Sequence, residues 1–188
     1  MELEENPHMG TRVWLTSSEL LHLVNFPEPG TSRWLSINLL ARAGLKSNEL
    51  TSMKREHVVI DGPQPAILFS GSGTRPTLRK CPIPESVAYT ILAYDDGLIL
   101  DHATRTIRKW VKKYAVMLAE DTGEDGWELV SPSDLRRSWA DTLLTDGIPA
   151  ELVMQWGGWE DSAAFREQFM ARHTTKTSLT EASRSDLY

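Results

Sequence analysis

The chain has 188 residues, enough for one domain with a buried core, and its 40% hydrophobic and 24% charged content is that of a globular protein. A formal net charge of −6 excludes a uniformly basic nucleic-acid binder and leaves room for a local basic groove. The single cysteine, Cys81, excludes an internal disulfide framework and a cysteine-based zinc site.

The five histidines are scattered, with no pair at ligand spacing, so neither a metal nor a cofactor is expected. No apolar run approaches a membrane span, and the acidic start MELEENPHMG lacks the apolar core of a signal peptide. A cytoplasmic location is the expectation. The acidic excess also suits a salt-adapted source.

Residues 1–10 read as a flexible polar tail. Thr16-Ser17-Ser18-Glu19 forms a capping box ahead of Leu20, Leu21, Leu23 and Val24, and Phe26-Pro27-Glu28-Pro29-Gly30 ends that helix. Thr31 or Ser32 caps a second helix rich in apolar residues (Trp34, Leu35, Ile37, Leu39, Leu40, Ala41), interrupted at Gly44. Residues 56–60, 66–70 and 77–83 read as three short strands, joined by Gly- and Pro-containing turns at 61–65 and 71–76.

A helix is expected from Glu85 to Leu92. Another starts at Thr104 and continues toward Leu118; its Arg105, Arg108, Lys109, Lys112 and Lys113 form the densest positive patch of the chain. Residues 121–126 are an acidic loop. A turn at Ser131-Pro132, with Ser133 or Asp134 as N-cap, opens a run carrying Leu135, Trp139, Leu143 and Leu144. Asp146-Gly147-Ile148-Pro149 breaks it, and Pro149 suits the first turn of the next helix, residues 150–156. Gly157-Gly158 stops that one. A last helix starts near Asp161 and carries Phe165, Phe169 and Met170 on one side; residues 175–188 are a polar tail.

Two stretches carry chemistry. In the later one, Ser133-Asp134-Leu135-Arg136 opens a helix, Gly157-Gly158-Trp159 follows, and Phe169 lies within FREQFMARH. In the earlier one, Gly44-Leu45-Lys46-Ser47-Asn48-Glu49-Leu50 precedes the strands. Over residues 31–173 this order resembles the catalytic domain of the tyrosine recombinase (phage integrase) family, in an archaeal or haloarchaeal form. The resemblance implies an α+β, predominantly helical fold over residues 11–174 with a small three-stranded antiparallel sheet. Some thirty leading residues are too few for the separate N-terminal DNA-clasping domain that the family usually adds.

In that family a tyrosyl oxygen attacks a DNA phosphodiester, a 3′-phosphotyrosyl link forms and a 5′-hydroxyl leaves. Two arginines clamp the nonbridging oxygens, a histidine or tryptophan donates a further hydrogen bond, and a lysine protonates the leaving oxygen. The resemblance places Arg136 and Trp159 in adequate roles. Lys46 stands at the first arginine's position, keeping the charge and losing the planar fork. Glu49 supports that site, and Arg42 lies one turn before Lys46. Ser133 stands where histidine belongs; it donates one hydrogen bond and is no acid or base near neutral pH. Arg75 is the nearest equivalent of the turn lysine, with Lys80 second. Phe169 takes the place of the nucleophile and has no oxygen. Tyr188 is a conceivable stand-in on the tail, while Tyr89, Tyr94 and Tyr114 read as partly buried packing.

The leading expectation is therefore a DNA-binding protein of the recombination and integration family, a pseudoenzyme with double-stranded DNA as its partner. Backbone contacts are expected from Arg105, Arg108, Lys109, Lys112, Lys113 and Lys80. A second copy of the chain or a partner recombinase is a further expected partner. The alternatives are an active site-specific recombinase whose nucleophile lies elsewhere or whose tyrosine has been exchanged, and a protein-interaction module with a relic DNA pocket.

Overall fold

The computed structural model describes residues 1–6, 10–70, 78–95 and 97–170. Arg75 with the turn at 71–76, and the tail from 171 onward with Tyr188, lie outside the described residues.

The chain begins with a hairpin, which corrects the flexible tail expected over residues 1–10. Strand β1 (Glu2–Asn6) pairs antiparallel with β2 (Gly10–Trp14), Glu2 opposite Trp14 and Leu3 opposite Val13. The sequence ELEEN looks loop-like because its partner strand supplies the apolar side. Val13 and Trp14 are buried, and the Trp14 indole N–H donates to Glu4 Oε2 at 2.7 Å.

Helix α1 (Ser17–Asn25) starts at the expected capping box: Thr16 N–H donates to Glu19 Oε2 at 2.7 Å, and Glu19 N–H to Thr16 Oγ1 at 3.3 Å. Helix α2 (Ser32–Arg42) is capped by Thr31, whose hydroxyl accepts from Trp34 N–H at 3.2 Å. Every residue from Trp34 to Ala41 is buried, as befits a helix that is largely apolar all round and surrounded by others. Its buried Asn38 is satisfied as a donor by the Val24 and Trp34 carbonyls, at 3.2 and 3.0 Å.

Helix α3 (Ser47–Leu50) leads into an antiparallel sheet ordered β3 (Val58–Val59), β4 (Ala66–Ser70), β5 (Leu78–Pro82). All three expected strands form. The first is shortened because Arg55–His57 closes a 3₁₀ turn ahead of it. Helices α4 (Glu85–Leu92) and α5 (Thr104–Thr122) follow, α5 ending at Gly123 in the left-handed conformation with φ +71°. Part of the expected acidic loop winds instead into a 3₁₀ segment (Asp125–Leu129), pinned by the buried Trp127.

Helix α6 (Pro132–Thr145) has Ser131 as its N-cap and Pro132 in its first turn, so neither Ser133 nor Asp134 is the cap; Asp134 is the reciprocal partner three residues on. Helices α7 (Ala150–Gly157) and α8 (Ser162–Phe165) complete the fold, α8 widening into a π turn over Arg166–Met170. Tyr114 is buried and Tyr94 packs at the core edge, whereas Tyr89 is 62% exposed on α4 and does not pack.

The main core surrounds α2. A second, aromatic core of Trp14, Trp139, Val153, Phe165 and Phe169 lies among β2, α6, α7 and α8. No helix among the described residues is long and apolar enough to cross a membrane.

Candidate nucleic-acid interface

Helix α6 is fixed from one side by β2. Val13 N–H donates to Asp134 Oδ1 at 3.1 Å, and Leu15 N–H donates to Ser138 Oγ at 2.8 Å. Asp134 and Ser138 lie four residues apart and so share a face, which binds the backbone of the passing chain. Asp134 also accepts from Ser131 N–H at 2.9 Å and pairs with the Arg137 guanidinium. This buried carboxylate thereby meets a charge and several donors, which offset the cost of its burial.

Arg136 faces elsewhere. Its Nη1 donates to the Gly44 carbonyl at 2.7 Å, and its guanidinium carbon lies 3.9 Å from the Trp159 ring centroid. Two glycines make this approach possible. Gly44 has φ +61°, and a Cβ there would lie inside the Trp139 ring; a Cβ on Gly157 would lie inside Trp159. Trp159 stacks on Trp139 with centroids 6.3 Å apart and 7° between planes, and meets Phe165 and Phe169 edge-on at 5.3 and 5.6 Å. One indole thus joins the charged region to the aromatic core.

A second guanidinium, from Arg79 on β5, grips Glu49 in a two-pronged ion pair, at 2.7 Å from Nη1 and 3.0 Å from Nη2. Glu49 Oε2 also accepts from Lys46 N–H at 2.7 Å, so the pair fixes the start of α3.

These elements enclose an open cleft of about 350 Å³. Lys46, Ser133, Arg136 and Trp159 line it together with Arg108, Arg137, Thr104 and Gln168; among the described residues no Asp or Glu contributes. Thr104 and Ser133 belong to the first turns of α5 and α6, so the positive ends of two long helices face the same space as the cations. Burial pulls the Arg136 pKa down to about 10; the Glu49 carboxylate opposes this shift and the neighbouring Arg79 adds to it. The group remains charged at neutral pH while short of water, and an anion in the cleft would relieve it. Chemically, the arrangement can hold a phosphate by charge, helix ends and side-chain donors.

Five of the residues singled out in the sequence thus meet at the cleft: Lys46, Arg108, Ser133, Arg136 and Trp159. Arg42 does not line it. Arg105, Lys109, Lys112 and Lys113 are exposed along α5, outside the lining, and the Lys112 ammonium reaches the Glu128 carbonyl. Lys80 is exposed and points to the opposite side of β5 from Arg79 and Cys81. Phe169 does not line the cleft: it is 0% exposed, against Trp14, Trp159 and Phe165. Sequence reasoning missed Arg79, Arg137 and Gln168. The signal for Arg79 was the two-residue alternation with the apolar Cys81.

No family model matches the chain. Its sequence is 28% identical over 149 residues to the tyrosine recombinase XerA of Thermococcus kodakarensis, covering 75% of this chain and 52% of that protein. The chain therefore spans about half the length of this curated relative. Its structure is similar to the crystal structure of XerA recombinase, with a TM-score of 0.69 and 19% identity over 96% of this chain and 67% of that one. It is also similar to XerH site-specific recombinase bound to difH substrate in a pre-cleavage complex, with a TM-score of 0.67 and 19% identity over 90% of this chain and 53% of the other. The Tn1549 transposon integrase, in complex with a circular intermediate DNA, gives a TM-score of 0.60 at 16% identity, over 88% of this chain and 66% of that one. The chain therefore has the fold of the XerA recombinase structure, and its sequence is similar to a tyrosine recombinase over 149 residues.

Proposed function

We propose that this chain binds double-stranded DNA through the cleft around Arg136, in a recombination or integration setting, and does not cleave it. The observation that carries this reading is a contrast between the cleft and the aromatic core beside it. Cationic and hydrogen-bonding groups suited to a phosphate line the cleft, while Phe169, which the sequence resemblance sets at the family's tyrosine position, is fully buried. Phe169 has no oxygen and cannot form a phosphotyrosyl ester.

In this reading Arg136 and Lys46 neutralise the nonbridging oxygens, and the Ser133 hydroxyl and Trp159 indole N–H add donors. The exposed basic face of α5 follows the neighbouring backbone, contributing affinity without sequence preference. Two structural neighbours are recombinases with DNA bound, which supports the assignment of partner. Pairing with a second copy or with a partner recombinase belongs to the same proposal.

The test is binding to random-sequence duplex DNA across a salt series, with Phe169→Tyr run in parallel for covalent adducts on a denaturing gel. Binding with a steep salt slope and no adduct from the parent chain is the expected result. An adduct from the parent would identify an active recombinase with another nucleophile. An adduct only from Phe169→Tyr would mean that Lys46 and Ser133 still support the chemistry. Absence of binding at low salt would overturn the reading in favour of a protein-interaction module.

A further inference from the structure

We propose that Gln168, the neighbour of the phenylalanine at the nucleophile's position, is a DNA phosphate-contact residue of this cleft. The inference rests on the DNA-binding reading above and adds a residue to it.

The geometry of the α8 end carries the argument. Phe165 and Phe169 are both fully buried and face each other at 4.6 Å between centroids, so the core side of this segment is defined by those two rings. Phe165 and Phe169 lie four residues apart and so share one side of the segment, and of the three residues between them one is turned toward the cleft. Gln168 is that residue. It is half-buried, lines the cleft with Lys46, Ser133 and Arg136, and its carboxamide makes no hydrogen bond to any described residue.

A carboxamide in this place has two N–H donors and stays neutral at any physiological pH. Lys46, Arg108, Arg136 and Arg137 already supply positive charge to the cleft. A neutral donor adds directional contact to a nonbridging oxygen without a further like charge beside the under-solvated Arg136. The ligand it takes is the phosphodiester of the DNA backbone.

The experiment is the same duplex titration in salt, on the full chain, with Gln168→Ala and Gln168→Lys. A hydrogen bond to a charged phosphate predicts about a tenfold loss of affinity for Gln168→Ala. The logarithmic salt slope should stay where it is, because a neutral donor releases no counterion. Gln168→Lys should steepen that slope by about 0.9, one added phosphate neutralised. Melting temperatures of both variants check the fold; if Gln168→Ala is destabilised, Gln168→Asn, which keeps the amide and loses reach, should show the same loss. Parent-like affinity and slope in these variants, while Arg136→Ala still weakens binding, would overturn the Gln168 assignment and leave the DNA-binding reading intact. Failure of the parent chain to bind would overturn both.

Discussion

Arg136 lies on the face of the Trp159 indole, its guanidinium carbon 3.9 Å from the ring centroid, while Nη1 is tied to the Gly44 carbonyl at 2.7 Å. The cation is therefore oriented before any anion arrives, which reduces the ordering that binding would demand. Trp159→Leu should weaken duplex binding by about tenfold or less, the range of a partly desolvated cation–π contact. Because the indole also joins the aromatic core, the same change should lower stability by roughly 3 kcal/mol in denaturant unfolding. Unchanged stability would separate Trp159 from that core.

The glycines around the cleft should rank by what surrounds them. Gly44→Ala meets both φ +61° and the Trp139 ring, and Gly158→Ala meets φ +70° and the Arg79 guanidinium; Gly147→Ala, at φ +82°, meets open space. The left-handed backbone alone should cost Gly147→Ala about 1 kcal/mol. Gly44→Ala should exceed it by about 2 kcal/mol or more, since an indole held on its other side cannot retreat. Gly158→Ala should fall between them, as a guanidinium moves more easily than a packed ring. Urea midpoints of the three variants check the order.

Removing one partner of the Arg79–Glu49 pair leaves the other charge largely enclosed. Glu49→Gln should destabilise by about 3 kcal/mol, because two guanidinium groups, Arg79 and Arg136, then face each other without their carboxylate. The double variant Glu49→Gln/Arg79→Met should recover part of that loss. A double-mutant cycle with no coupling would show the two side chains to be independent.

The Cys81 thiol is buried under Ala43, donating to its carbonyl at 2.9 Å, and burial pushes its pKa up to about 12. An unfolded cysteine titrates near about 8.5. Above that value the unfolded chain has lost a proton that the folded chain keeps, so stability should fall as the pH rises from about 8.5 toward about 12. At pH 8 the thiol should react with an alkylating reagent only as fast as the molecule opens. Rapid labelling of the native chain would contradict this.

Much of the fold was legible because it is local. The Thr16–Glu19 capping box, the Thr31 cap, the basic face of α5 and the α7 stop at Gly158 each follow from residues a few positions apart. The cleft was legible in part, since Lys46, Ser133, Arg136 and Trp159 are fixed by family spacing. Three features were not legible, each for a physical reason. The β1–β2 hairpin depends on a polar strand made stable by its partner. Arg79 was passed over for Lys80 because both are basic, and only the strand's alternation, set by Cys81, decides which one turns inward. Gln168 was passed over because it lies off the apolar side marked by Phe165 and Phe169, where a polar residue reads as solvent-facing.

The two bonds that hold α6 to β2 and the residue after it join residues 121 and 123 positions apart in the chain. Arg136 and Ser133 ride on that helix, so the cleft cannot take shape from neighbouring segments alone. A chain still being synthesised, with α1 to α5 already emerged, would carry Lys46 and Arg108 without their counterparts. Contacts of such separation are slow to form, because a long loop must close before they contribute. Phosphate affinity should accordingly arise late in refolding, after helical content has recovered, and so report the moment when the first strands and the last helices meet.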